Sequence, residues 1–168
     1  MTDGRIHLVG GKLLLVDGKR ALADDCCCGT CNDCDPPLDD TYTVTLSAPV
    51  TLTWQGKSYE FVGPFTVTNT DRVGWDGCYW AVQVADLGDG YYADVEMMYD
   101  DENLLGEGRW RVTLAIRYGD PGTSWGWLAF HDDAVEDLCD PQKAYDAGTW
   151  TTASGLTHNA TTQYPTVS

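Results

Sequence analysis

From Thr41 to the C-terminus apolar residues recur at every second position in one segment after another, and that period restricts the chain to β-strands. In RWRVTLAIRY, residues 109–118, Trp110, Val112, Leu114, Ile116 and Tyr118 share one face. Arg109, Arg111, Thr113, Ala115 and Arg117 share the other, which reads as a half-buried strand. The alternation continues through YTVTL (42–46), TLTWQ and SYEFV on either side of Gly56-Lys57, CYWAVQV (78–84), YYADVEMMY (91–99), SWGWLAFH (124–131) and TWTTA (149–153). Gly-Asp-Gly at 88–90 and Asp-Pro-Gly at 120–122 are turn signals between such runs. Strands recurring about every ten residues predict an all-β domain over 41–168, an antiparallel β-sandwich of jelly-roll or immunoglobulin-like type. Only DDAVEDL, 132–138, has helical character.

The N-terminus carries a separate pattern. Residues 5–23 read RIHLV-GG-KLLLV-DG-KRALA, in which Gly-Gly and Asp-Gly are two-residue turns that accept the positive φ angles a hairpin needs. Folding the runs antiparallel sets Leu8 against Leu13, Ile6 against Leu15 and Leu13 against Leu22. Ile6, Leu8, Leu13, Leu15 and Leu22 then form one apolar face, opposite Arg5, His7, Lys12 and Lys19. A three-stranded meander with one greasy face is marginal alone and needs a surface to dock on. The expected organisation is a docking ribbon at 1–23, a cysteine-rich clasp at 24–40 broken by Pro36 and Pro37, and the sandwich at 41–168.

The clasp, DDCCCGTCNDCDPPLDD, holds Cys26, Cys27, Cys28, Cys31 and Cys34; Cys78 and Cys139 complete the seven cysteines. Cys28, Cys31 and Cys34 have the C-x-x-C-x-x-C spacing that gathers thiolates around a structural zinc, with the fourth ligand to come from another Cys or a His. An iron-sulfur run would continue with a fourth Cys three residues on, and Cys34 is instead followed by Asp35-Pro36. Adjacent cysteines rarely bond one another, so the alternative to zinc is disulfides to distant partners: Cys78, Cys139 or a neighbouring subunit. Asp24, Asp25, Asp33 and Asp35 raise thiol pKa values and argue against a reactive thiolate. On either alternative the segment is a fastener.

Charge removes several functions. With 26 Asp and Glu against 10 Lys and Arg the net charge is −16, which repels nucleic-acid backbones and anionic lipid. No run approaches the roughly 20 apolar residues of a membrane span. The start, MTDGRIHLVGG, lacks the pattern of a secretory signal, so synthesis in a cytoplasm is expected. None of the nucleophile, zinc-protease or phosphate-loop motifs occurs, and His7, His131 and His158 lie in separate segments. His131 reads as a solvated strand-end residue. Asp86, Asp89 and the run 100–103 lack the spacing of a calcium loop and read as turn carboxylates. The chain is therefore read as non-enzymatic; a small metal-dependent or redox protein is the weakest alternative.

Seven Trp and nine Tyr exceed what three Phe contribute, and most rings are expected to fill a core. Trp125 and Trp127 share a strand face and, with Asp132, make the candidate site for a glycan, because flat rings stack on sugars and carboxylates accept hydrogen bonds from their hydroxyls.

With these residues in view, the chain resembles small, cysteine-rich β-proteins of tailed-bacteriophage and prophage virion modules. The likeness lies in GGKLLLVDGKRAL, the CCC that follows, YTVTL, the isolated cysteine of DGCYW, and LCDPQKAYDAGTWTT before the closing Thr-Val-Ser. The acid of DCDPPLDD is no part of that pattern. The resemblance implies a non-enzymatic virion structural protein associated with a tail or fibre, or alternatively a capsid decoration protein, with no catalytic residues to transfer. Its partners would be other virion proteins and copies of itself. A glycan-binding sandwich module is the alternative from a different class.

Overall fold

The computed structural model describes residues 38–70, 78–99, 110–119, 124–131, 139, 141–142 and 148–168, and the backbone alone of 8–9, 12–13, 100 and 109. Every regular element among them is a β-strand: β1 (Leu8–Val9), β2 (Lys12–Leu13), β3 (Thr41–Leu46), β4 (Val50–Trp54), β5 (Lys57–Phe61), β6 (Phe65–Asn69) and β7 (Tyr79–Gly88). The order continues with β8 (Tyr91–Asp100), β9 (Arg109–Tyr118), β10 (Ser124–His131), β11 (Thr149–Thr152), β12 (Thr157–His158) and β13 (Pro165–Val167). The predicted helix at 132–138 lies outside the described residues.

Eight strands form one antiparallel sheet in the order β11-β10-β9-β8-β7-β6-β3-β13, and β12-β4-β5 form a second. The fold is all-β and sandwich-like. Strands β7 to β11 are a simple meander, since each is followed in sequence by its neighbour in space. The chain leaves the large sheet after β3, builds the β4-β5 hairpin over it, and returns as β6 beside β3. The C-terminal β13 then closes on the free side of β3, where Thr43 and Ser168 exchange backbone hydrogen bonds of 2.7 and 3.0 Å.

The core lies between the two sheets. Leu52, Trp54 and Phe61 of the small sheet meet Val95, Met97, Val112, Leu114, Ile116 and Leu128 of the large one, nearly all fully buried. Each such side chain contributes about 1.5–3 kcal/mol relative to exposure. Trp80 and Trp110 lie here with ring centroids 5.8 Å apart, and Tyr42 meets Trp80 edge-on at 5.4 Å. Trp80 donates its indole N–H to the carbonyl of Asp39 at 3.0 Å, so this large ring is buried with its one polar atom satisfied.

Two tight turns meet at one end of the sandwich. Gln55-Gly56, at φ +48° and +78°, closes β4-β5, and Asp89-Gly90, at φ +56° and +78°, closes β7-β8; both pairs take the positive angles that suit strand twist. Lys57 donates to the carbonyl of Leu87 at 3.0 Å and to Asp89 at 2.8 Å, while Tyr91 donates to Gln55 at 2.8 Å. The hydrogen bond and charge of Lys57 hold the Asp89 carboxyl below its usual range. Asp86 accepts from the N–H of Gly88 at 2.8 Å. These acids have the expected role of turn carboxylates, and the turns pin the two sheets together.

The structure departs from the sequence reading on β9. Read as half buried, it is buried on both faces: Thr113, Ala115 and Arg117 are as enclosed as Val112, Leu114 and Ile116. A buried face can hold polar residues when they are paired, and the pairing described below accounts for it.

Gly126 sets the distance between the sheets, because a Cβ there would stand 2.3 Å from the indole of Trp54. Gly126→Ala is expected to cost about 1–3 kcal/mol of stability through overpacking, read as a lower midpoint in urea unfolding. Trp54→Phe in the same background should recover part of the loss.

Candidate functional site

The face of the large sheet turned away from the core carries the polar chemistry of the protein. On β8, Ala93, Val95 and Met97 point inward, which sends Asp94, Glu96 and Met98 to the opposite face; on β9 the same rule sends Arg111, Thr113, Ala115 and Arg117 there. Arg117 stands directly opposite Tyr92 and reaches diagonally along β8 to both carboxylates. Its Nε donates to Asp94 Oδ2 and its Nη2 to Glu96 Oε1. Tyr79 of β7 donates its hydroxyl to the same Glu96 oxygen at 2.5 Å.

These groups are enclosed: side-chain exposure is 7% for Arg117, 9% for Asp94 and 1% for Glu96. Burial works to lower the Arg117 pKa, but the charges of Glu96 and Asp94 and the Asp94 hydrogen bond outweigh it and hold the guanidinium above its ordinary value. The cation is thereby fixed between two carboxylates. Its Cζ lies over the ring of Trp125 of β10, 4.1 Å from the centroid. Arg111 donates to Met98 Sδ at 2.7 Å. The result is a charged network inside a sheet, of the kind that fixes strand register more than it adds net stability.

Trp125 and Trp127 do share a face, as the period required, with Gly126 between them against the core. Both are half-buried, and Trp125 is occupied by Arg117. Asp132, their proposed companion, lies outside the described residues. His131, read as solvated, is instead buried at 6% exposure, with Nε2 3.1 Å from Thr151 Oγ1. As the last residue of β10, His131 pairs with Thr149 on one side and Arg111 on the other, so neighbours flank it on both sides.

Cys78 and Cys139 are each disulfide-bonded, Cys78 inside the core cluster and Cys139 at the surface. Cys26, Cys27, Cys28, Cys31 and Cys34, and with them the zinc alternative, lie outside the described residues, as do Ile6, Leu15 and Leu22. Leu8 and Leu13 are present as backbone and stand opposite each other in the β1-β2 pair, the register read from the Gly-Gly turn. Among the described residues no group of three or more His, Cys, Asp or Glu is placed to hold a metal ion.

Sequence reasoning missed the Arg117 network. Its signal was available in Asp and Glu at alternate positions of one strand and Arg at alternate positions of the next, but the abundance of acid in loops masked it.

No protein-family model matches this sequence, and searches of curated proteins and of solved structures also return no match.

Arg117→Met should destabilise the fold by about 3–5 kcal/mol, because it leaves two buried carboxylates without their cation. Replacing all three together, as Asp94→Leu, Glu96→Leu and Arg117→Met, should cost less than the single change in a denaturant titration. Reduction of the bonds held by Cys78 and Cys139 should lower the thermal midpoint, with each lost bond worth about 2–4 kcal/mol. An equal midpoint with and without reductant would remove their stabilising role.

Proposed function

We propose that the chain is a non-enzymatic structural protein of a virion, an accessory component of a tail or fibre that docks through its N-terminal ribbon. The observation that carries this reading is the β1-β2 hairpin, with Leu8 opposite Leu13, which forms a sheet of its own apart from the two sheets of the body. A ribbon of that kind gains stability by covering its apolar face, and the cover we infer is another virion protein or a second copy of the chain. Capsid decoration is the same chemistry at another address.

Two further features support the reading. The described groups best suited to moving protons, Asp94, Glu96 and His131, are held by Arg117, Tyr79 and Thr151. Disulfides at Cys78 and Cys139 fit a protein exposed to an oxidising medium after assembly.

The test is sedimentation of the full chain beside a Leu8→Asp, Leu13→Asp variant. We expect the parent to self-associate at micromolar concentration and the variant to run as a monomer with an unchanged thermal midpoint. A parent that stays monomeric, or a variant that associates equally, would overturn ribbon docking between copies.

A further inference from the structure

An open cleft of about 570 Å³ lies where β11, at the edge of the large sheet, meets the segment 158–164 that leads into β13. Phe130, Thr149, Trp150, His158, Gln163 and Tyr164 line it, together with small residues. We propose that this cleft binds a neutral saccharide. The inference is independent of ribbon docking.

Size and chemistry converge on that ligand class. The volume falls in the ordinary range of small-molecule sites, enough for one or two sugar rings. No Asp, Glu, Lys or Arg is among its described lining residues, in a chain with 26 acids and 10 bases. A cation site would need carboxylate oxygens and an anion site would need Arg or Lys, so both are disfavoured. A purely apolar ligand would leave the hydroxyls, the amide and the imidazole of the wall unmatched. Threonine hydroxyls both donate and accept, as sugar hydroxyls do, and Trp150 and Tyr164 offer ring surface against which a pyranose can stack.

The walls are also braced before any ligand arrives. Trp150 donates its indole N–H to the carbonyl of Gln163 at 2.7 Å and packs edge-on against Phe130 at 4.9 Å, so the ring is locked across the cleft. Gln163 Oε1 accepts from the N–H of Thr161 at 2.7 Å. Ser47 fastens the far end of the segment: its hydroxyl accepts from the N–H of Tyr164 at 2.9 Å, and its own N–H donates to the Tyr164 carbonyl at 2.9 Å. Asn159 fastens the near end through Thr51, whose N–H donates to Asn159 Oδ1 at 2.8 Å. At Gly148 a Cβ would come within 2.1 Å of the His131 carbonyl and 2.4 Å of the Phe130 ring, so the wall can pass here only as glycine. A preformed site loses little conformational freedom on binding. Tyr164, 37% exposed, is the ring left free to meet a ligand.

The experiment uses the full chain with cellohexaose, maltohexaose, xylohexaose, mannohexaose and chitohexaose, read by saturation-transfer NMR and by calorimetry at millimolar sugar. At least one is expected to bind. Tyr164→Ala should weaken that binding about tenfold, the loss of one stacked ring, and His158→Ala should weaken it by a smaller factor. Trp125→Ala, on the other sheet face, should leave it unchanged. Circular dichroism and the thermal midpoint check that each variant is folded. The proposal is overturned if none of the five binds, if binding survives both cleft substitutions, or if Trp125→Ala abolishes it instead.

Discussion

A sheet whose central strands are buried on both faces must place something on the second face that tolerates enclosure, and here it is one guanidinium shared by two carboxylates. Arg117 reaches Asp94 and Glu96 only when β8 and β9 pair in the observed register, with Tyr92 opposite Arg117 and Thr113 opposite Glu96. A slip of β9 by one residue would turn Arg117 into the apolar core, leave Asp94 and Glu96 buried without it, and send Leu114 outward. Either part of that exchange is costly, since a buried unpaired charge costs several kcal/mol and each lost aliphatic side chain about 1.5–3 kcal/mol. The ion network thus acts as a register key, and the meander β7 to β11 depends on it.

Cations are scarce in this chain, and the structure puts two of them where position matters most. Lys57 joins the tips of two hairpins from different sheets; Arg117 joins neighbouring strands within one sheet. The Lys57 contact is partly solvated, so its worth is limited and screened by salt, whereas the Arg117 contacts are enclosed and keep their strength. With 26 acidic residues, general repulsion favours expansion, and these two points oppose it locally.

Much of the fold was legible because period-two patterning and turn chemistry are local properties. YTVTL, RWRVTLAIRY and SWGWLAFH became β3, β9 and β10, and Gly-Asp-Gly became the Asp89-Gly90 turn, while the turn read at Gly56-Lys57 formed one residue earlier at Gln55-Gly56; both turns have the required positive φ. Strands β6, β12 and β13 escaped notice: the last two are two and three residues long, too short to express a period, and β6 is mostly solvated with Val67 its one fully buried residue. The second buried face was illegible for a different reason. Alternation shows which residues share a face but not what lies over it, so Thr113, Arg117 and His131 looked like solvent-facing residues. The cleft was hidden more deeply still, since its two walls, residues 148–150 and 158–164, are brought together by β11 pairing, the Trp150–Gln163 hydrogen bond and the tether to Ser47, none of them a local pattern.

The tethers also say how the molecule can hold one end firm while offering the other. Strand β4 begins beside the cleft, with Thr51 bound to Asn159, and ends at Trp54, next to the turn where Gln55 is tied to Tyr91 and Lys57 to Asp89. Five residues of strand span about 16 Å, so a single short element connects the cleft wall to the tied turns. Leu52 and Trp54 anchor that element in the core at 0% and 7% exposure, which leaves it little freedom to bend. Motion of the cleft wall would therefore have to break the Ser47 and Thr51 contacts before it could disturb the core, and those contacts are short-range, local and independent of the Arg117 network on the opposite sheet face. The two regions can change separately: substitutions in segment 158–164 can alter what the cleft accepts without touching the charges that set the register of the sheet.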